Sequence, residues 1–113
     1  MRIVAAFITL DELRAMAAGM FGNLVKAVVD IERGVLALDA ELHSDLESLL
    51  LQNGSQHKNL WGINLYPDEL PDSFLEFDSM INVRPSQNNR SRGVENEATR
   101  QKIAEIVAQR IRV

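Results

Sequence analysis

Three side chains spaced two residues apart, Asp39, Glu41 and His43, have the clearest chemical potential in this sequence. If they lie on a strand, they point to the same face, because side chains of a strand alternate between its two faces. Carboxylates suit a hard divalent cation, and a carboxylate beside an imidazole suits acid–base catalysis. We therefore take Asp39, Glu41 and His43 as candidate catalytic residues and add Asp78 from a later strand. The alternative is an ordinary solvated strand face, so the spacing predicts no particular metal ion or cofactor.

A second group lies in the polar segment 84–94, which contains three arginines, several amides and two serines. Guanidinium groups present a fork of donors, and the start of a helix favours negative charge. The segment therefore predicts a site for a phosphate, a carboxylate or an acidic partner surface, formed by Arg84, Gln87, Asn89, Arg90, Ser91 and Arg92. The alternative is an internal role, in which the arginines fold back onto acidic residues and the amides build turns.

The charge distribution sets this segment apart from the rest of the chain. The 113 residues carry a net charge of −4. Residues 1–83 have 5 basic and 13 acidic side chains, a net of −8, whereas residues 84–113 have 7 basic and 3 acidic, a net of +4. A nucleic-acid-binding protein usually has a positive overall charge, so the acidic body argues against that class.

The composition, 46% hydrophobic and 25% charged, predicts one globular domain over residues 1–113. The chain has no cysteine, which excludes disulfides, thiolate metal sites and a cysteine nucleophile, and suits a reducing cytoplasm. No apolar run is long enough to span a membrane. Asp11 and Glu12 follow the short apolar start so closely that we expect no signal peptide. Phosphate-binding glycine loops, zinc-protease and serine-hydrolase motifs are also absent.

The elements that would position these residues begin with an apolar run at 2–8, predicted to be a strand. Thr9 and Glu12 are spaced as a capping box for a first helix that ends at Gly22-Asn23. Ser44 and Glu47 are spaced in the same way for a second helix. Asn96 is the predicted cap of a third helix, whose inward residues are Ile103, Ile106, Val107 and Ile111.

The middle of the chain predicts a hairpin bent at Arg33-Gly34. Segments 25–32 and 35–43 alternate apolar and polar residues, as strands with one buried face do. A two-residue turn would pair Ile31 with Leu36 and Val29 with Leu38, and a one-residue slip would bury Asp39 and Glu41. One continuous helix through Gly34 is the alternative, which the β-branched content disfavours.

Further strands are predicted at 60–66, with Trp61, Ile63 and Leu65 inward, and at 74–83. The order β-α-β-β-α-β-β-α predicts an α+β domain with an antiparallel or mixed sheet of about five strands and helices on one face. The other face would be wet and would collect Lys26, Asp30, Glu32, Asp39, Glu41, His43, Asn64, Tyr66, Glu76, Asp78 and Arg84. The first strand has no polar face, so a homo-oligomer that pairs through it is a further hypothesis.

Several segments carry a family resemblance. Residues 60–67 read Leu-Trp-Gly-Ile-Asn-Leu-Tyr-Pro, residues 84–87 read Arg-Pro-Ser-Gln, and residues 89–95 read Asn-Arg-Ser-Arg-Gly-Val-Glu. With these motifs, and with Phe-Gly-Asn-Leu-Val-Lys at 21–26, the chain resembles over nearly its whole length a small bacterial family known only as a domain of unknown function. That family usually has Gly where Asn88 stands and Asp where Asn96 stands, and Asn suits both places. The resemblance implies the domain boundaries and transfers no activity.

Two functional hypotheses follow from the residues. The first is a binding or regulatory module that presents Arg84, Arg90 and Arg92 to an anionic ligand or an acidic protein surface, with no cofactor. The alternative is a small hydrolase or ribonuclease-like enzyme, of the kind found in toxin–antitoxin pairs, that uses Asp39, Glu41, His43 and Arg84 on the polar face.

Overall fold

The computed structural model describes all residues, 1–113. Along the chain the elements are β1 (Arg2–Val4), β2 (Ile8–Thr9), α1 (Leu10–Ala18), β3 (Val25–Asp30), β4 (Val35–Leu38), α2 (His43–Gln52), β5 (Leu60–Leu65), α3 (Pro71–Phe74), β6 (Leu75–Glu76), α4 (Glu97–Arg110) and β7 (Ile111–Arg112). Short 3-10 turns lie at His57–Asn59, Met80–Asn82 and Pro85–Gln87. The main sheet has the order β1-β4-β3-β5-β6 and every neighbouring pair is antiparallel. This confirms the predicted α+β domain with a five-stranded sheet.

The sheet is covered on both faces. On one face α1 and α4 pack on the apolar residues of the strands, with Leu13 and Ile103 fully buried. On the other face α2 buries Leu46 and Leu50. The expectation that this second face is wet was therefore wrong. This face carries Val28, Val35, Ala37 and Leu60 among its polar residues, and the apolar side of α2 covers them. Each large side chain removed from water stabilises the fold by about 1.5–3 kcal/mol.

The predicted hairpin is present, with β3 and β4 antiparallel, but its register differs by two residues. Val29 lies opposite Leu36 instead of Leu38, so the connection has four residues, 31–34, instead of two. A shift of two keeps every side chain on its predicted face, because strands repeat every two residues. The pattern of apolar positions therefore fixes the faces of this hairpin and leaves open which residues pair.

Asp30 explains the longer turn. Its Oδ1 accepts hydrogen bonds from the backbone N–H groups of Glu32 (2.9 Å) and Arg33 (3.0 Å), and its Oδ2 accepts one from the Ser55 hydroxyl (2.6 Å). The side chain is buried, so these bonds replace its hydration. Gly34 closes the turn at φ +69°, where a residue with a Cβ is strained.

Three other predicted strands are shorter than expected. The run 2–8 is interrupted after Val4 and resumes as β2, which pairs in parallel with β7. β4 ends at Leu38, because Asp39 adopts a φ of 75°, and the chain then turns into α2. The segment 74–83 contributes only β6 to the sheet. The prediction that Asp39, Glu41 and His43 share one strand was therefore wrong.

Two of the three predicted helix caps are confirmed. Thr9 and Glu12 form both bonds of the capping box of α1, at 3.2 and 2.9 Å, although this helix already ends at Ala18. Asn96 Oδ1 accepts the Thr99 N–H at 2.9 Å at the start of α4. The Ser44 cap was wrong, since α2 begins at His43 with Leu42 at the cap position and no side-chain bond. No helix of the fold has the length and apolar character needed to cross a bilayer.

The turn at Asp30 gives a test of the fold. In Asp30→Ala the two backbone N–H groups and the Ser55 hydroxyl lose their acceptor, so we expect the free energy of unfolding to fall by about 3 kcal/mol. Urea denaturation measures this change. Glu41→Ala, at an exposed residue of the next turn, is the matched control and changes stability by less than about 0.5 kcal/mol. Equal stability of the two variants would refute this role of Asp30.

Candidate functional site

The segment 77–95, which follows β6, is held by side chains that bond to backbone groups. Asn82 is the clearest case: its Oδ1 accepts the Gly62 N–H at 2.8 Å, and its Nδ2 donates to the Gly62 carbonyl at 2.9 Å. The Asn82 amide thus pairs with backbone groups at the edge of β5, beyond the point where β6 ends. Gly62 allows this close approach, because a Cβ there would lie 2.5 Å from the Cβ of Ser79.

Arg84 anchors the same segment from inside the protein. Its guanidinium donates to the carbonyl of Ile81 (2.9 Å), to that of His57 (3.0 Å) and to that of Leu60. It also lies over the Trp61 ring, 4.7 Å from the centroid, and 3.7 Å from Glu47 Oε2. Burial lowers the pKa of this guanidinium and Glu47 opposes the shift, so Arg84 keeps its charge. It is a structural residue, and each of its three nitrogens already donates a hydrogen bond.

Asn89 and Glu95 organise the rest of the segment. Asn89 is buried; its Nδ2 donates to the carbonyls of Asn82 (2.7 Å) and Gly93 (2.8 Å), and its Oδ1 accepts the Glu95 N–H at 2.9 Å. The Glu95 carboxylate in turn accepts the N–H groups of Arg90 and Ser91, and these bonds lower its pKa. Asn88 adopts a left-handed φ of 60°, as its place in the sequence suggested.

The predicted anion-binding residues therefore divide into two groups. Arg84 and Asn89 face inward, and Gln87 donates to the carbonyl of Lys58 at 3.2 Å. Arg92 bonds to Asp78, with its Nε 2.6 Å from Oδ1, and its side chain stays 55% exposed. Arg90 is exposed and its side chain makes no hydrogen bond or ion pair. Ser91 is also exposed.

Polar side chains from both predicted sets meet where β3, β5 and β6 run side by side. Lys26 lies opposite Asn64, and Asn64 lies opposite Glu76, so the three form a row across the sheet. His43, at the start of α2, bonds to the carbonyl of Ile63 in the same region, and the charges of Asp78 and Arg92 act on its ring. We call Lys26, His43, Asn64, Glu76, Asp78 and Arg92 the polar cluster.

Both carboxylates of the polar cluster accept hydrogen bonds from neighbouring side chains. Glu76 Oε1 accepts from Asn64 Nδ2 and from the Tyr66 hydroxyl, both at 2.9 Å, while Asp78 holds Arg92. Burial and the neighbouring Glu76 raise the pKa of Tyr66, so it remains a donor. Asn64 is buried, and its Oδ1 has no hydrogen-bond partner. Lys26 makes no ion pair, and its Nζ lies 5.1 Å from the centroid of the Phe21 ring.

His43 is neutral at pH 7. Burial lowers its pKa; the bond to Ile63 and the charge of Asp78 oppose the shift, whereas Lys26 and Arg92 add to it. A carbonyl oxygen only accepts, so the 2.8 Å contact assigns the ring proton to Nε2 and leaves Nδ1 as an acceptor. The ring is thus fixed in one tautomer beside two cations and a carboxylate.

The candidate catalytic residues are only partly brought together. His43 and Asp78 belong to the polar cluster, whereas Asp39 and Glu41 lie exposed in the turn before α2. Sequence reasoning missed Glu47, which it assigned to a helix cap and which instead lies between Arg84 and His57, 3.4 Å from the His57 ring. It also gave no role to Asn82. The sequence did contain one signal: residues 82–89 are rich in amide side chains. Such side chains can bond to the backbone groups of a segment that has no strand partner.

No group of three His, Asp or Glu side chains in the chain is arranged to hold a metal ion. The largest cavity, of about 510 Å³, lies between α1, α4 and the segment 67–75. Its lining is largely apolar, and none of the predicted site residues contributes to it.

Comparison with known proteins assigns the chain to a family. The family model described as a protein of unknown function, DUF5674, matches residues 2–110. The chain belongs to this family. The resemblance noted from the sequence is thereby confirmed over almost its whole length. No curated protein and no solved structure matches the chain.

The lowered pKa of His43 gives a test of the polar cluster. The unfolded chain binds a proton at this residue more readily than the native state, so the stabilisation is complete above the ordinary pKa of about 6.5 and is lost as pH falls. We expect the free energy of unfolding to decrease between about pH 7.5 and pH 5.5, and to decrease less in His43→Gln. Urea denaturation at the two pH values measures the free energy of unfolding of the wild type and of His43→Gln. Identical pH dependence in the two proteins would contradict a buried, neutral His43.

Proposed function

We propose that the protein is a small binding module that recognises an anionic group, a phosphate or a carboxylate, at the polar cluster. The observation that supports this most is Lys26. It makes no ion pair with Glu76 or Asp78 of the same cluster; Oε1 of Glu76 accepts from Asn64 and Tyr66, and Oδ1 of Asp78 accepts from Arg92. A half-buried ammonium that has the Phe21 ring but no carboxylate beside it favours an anion from solution.

Arginine adds to this site in two ways. The Arg92 side chain bonds to Asp78 through Nε only, so its two terminal nitrogens are available to a ligand. Arg90 is two residues away on the same segment, and its exposed guanidinium extends the positive potential towards solvent. Compared with the hypothesis drawn from the sequence, Arg84 changes its role from ligand contact to support.

The proposal includes a cytoplasmic location in a bacterium, where phosphorylated and carboxylated small molecules are abundant. A chain without cysteine suits that compartment.

Inorganic phosphate is the probe that tests the proposal. We expect backbone amide resonances of Lys26 and Glu76 to shift saturably in the wild type, and Lys26→Gln to weaken binding by about fivefold, the effect of one exposed charge contact. Lys102→Gln, at an exposed lysine of α4 with no ion pair, is the matched control. Binding should weaken with added salt, because dissolved ions screen the attraction between the phosphate and the cations of the cluster. Equal, salt-insensitive binding by both variants would overturn the proposal.

The second candidate is a hydrolase of phosphodiesters, which one observation favours: a neutral His43 with a free Nδ1 is suited to act as a general base. A phosphodiester substituted for phosphate in the same titrations separates the two candidates. Release of a monoester product that His43→Gln abolishes would favour the enzyme, and binding without turnover favours the module.

A further inference from the structure

A second polar site lies on the far side of the segment 84–94. The side chains of Lys58, Trp61, Gln87 and Asn88 border a cleft of about 400 Å³ together with the start of α4. None of the residues of the polar cluster lines it. The volume is within the range of small-molecule sites. We call it the amide cleft.

The indole of Trp61 is the unusual feature of the amide cleft. The residue is 6% exposed, and its Nε1–H is buried without any acceptor. A buried tryptophan N–H is normally hydrogen-bonded, because its desolvation is otherwise uncompensated. Arg84 already occupies one face of the ring. Nε1 is therefore a buried donor without an acceptor, and it belongs to a residue that lines a cavity.

Two further donors of the amide cleft have no partner. Lys58 is exposed and makes no ion pair. Asn96 uses its Oδ1 to accept from Thr99, which leaves the Nδ2 donor without a partner. Glu95 borders the cleft too, but its Oε2 is held by the N–H groups of Arg90 and Ser91. The unpartnered donors of Trp61, Lys58 and Asn96 suit a ligand that supplies oxygen acceptors.

We propose that the amide cleft binds a small organic anion, whose carboxylate or phosphoryl oxygens accept hydrogen bonds from Trp61 Nε1 and Lys58. Because Nε1 lies below the surface, a side chain of the lining has to move aside when the ligand enters. The bond then satisfies the one buried donor that the native contacts leave open at this site, and Lys58 neutralises the charge. This site is independent of the anion site proposed at the polar cluster.

Trp61 is the only tryptophan of the chain, so its indole N–H gives a single resonance in an amide correlation spectrum. Titration with sodium acetate and, separately, sodium phosphate is expected to shift this resonance downfield and saturably, while sodium chloride at equal ionic strength leaves it in place. A response to acetate alone assigns a carboxylate ligand, and one to phosphate alone assigns a phosphorylated one. The reporters keep the two proposals apart, because the amides of Lys26 and Glu76 respond at the polar cluster and the indole responds at the amide cleft.

Two variants sharpen the test. Lys58→Gln should weaken the response of the indole by about fivefold, and Lys102→Gln should leave it unchanged. In Trp61→Phe, which keeps an aromatic ring and removes the donor, the Asn88 amide should no longer shift with either anion. An indole resonance that does not move at millimolar anion, or that moves equally in Lys58→Gln and wild type, would overturn the proposal.

Discussion

The buried guanidinium of Arg84 is the interaction on which the rest of the site depends. It brings together three carbonyls from two separate parts of the chain: those of His57 and Leu60, around the start of β5, and that of Ile81, after β6. Glu47 of α2 and the ring of Trp61 complete its surroundings. Charge-assisted bonds of this kind are stronger than neutral ones, and an unpaired guanidinium at this depth would be very costly. The segment 77–95 therefore has one favoured position against the sheet, although it adds no long strand to it.

The position of that segment defines two polar regions of different character. On one side it brings Asp78 and Arg92 to His43, where they join the row of Lys26, Asn64 and Glu76. On the other side its amides form a wall of the cleft that contains Trp61. Three buried polar atoms lack a hydrogen-bond partner: Asn64 Oδ1 in the polar cluster, Trp61 Nε1 beside the cleft, and Glu47 Oε2, which lies 3.7 Å from Arg84 Nη2. The first two, together with the unpaired Lys26, are the observations on which the two proposed anion sites rest.

Local patterns in the sequence predicted the elements better than their contacts. Alternation fixed the faces of β3 and β4, and the Thr9 and Asn96 caps followed from spacing, because these features depend on neighbours a few residues away. The hairpin register depended on the bonds that Asp30 makes within the turn and to Ser55, 25 residues away, and the alternation of apolar residues contains neither. The polar face was predicted to be exposed to solvent, because the apolar residues of α2 do not show on which side of the sheet the helix packs. Arg84 and Asn89 looked like ligand contacts for the same reason: the carbonyls they bind are set by the tertiary fold.

The effect of removing the Arg84 guanidinium tests the central claim most directly. In Arg84→Met, which keeps the length of the side chain, the account predicts a loss of about 3 kcal/mol in unfolding free energy and collapse of the amide dispersion of residues 84–94 in a spectrum recorded under native conditions. Arg90→Met, six residues further along the same segment and without a side-chain partner, should keep both. A stable Arg84→Met protein with the segment still ordered would contradict the account.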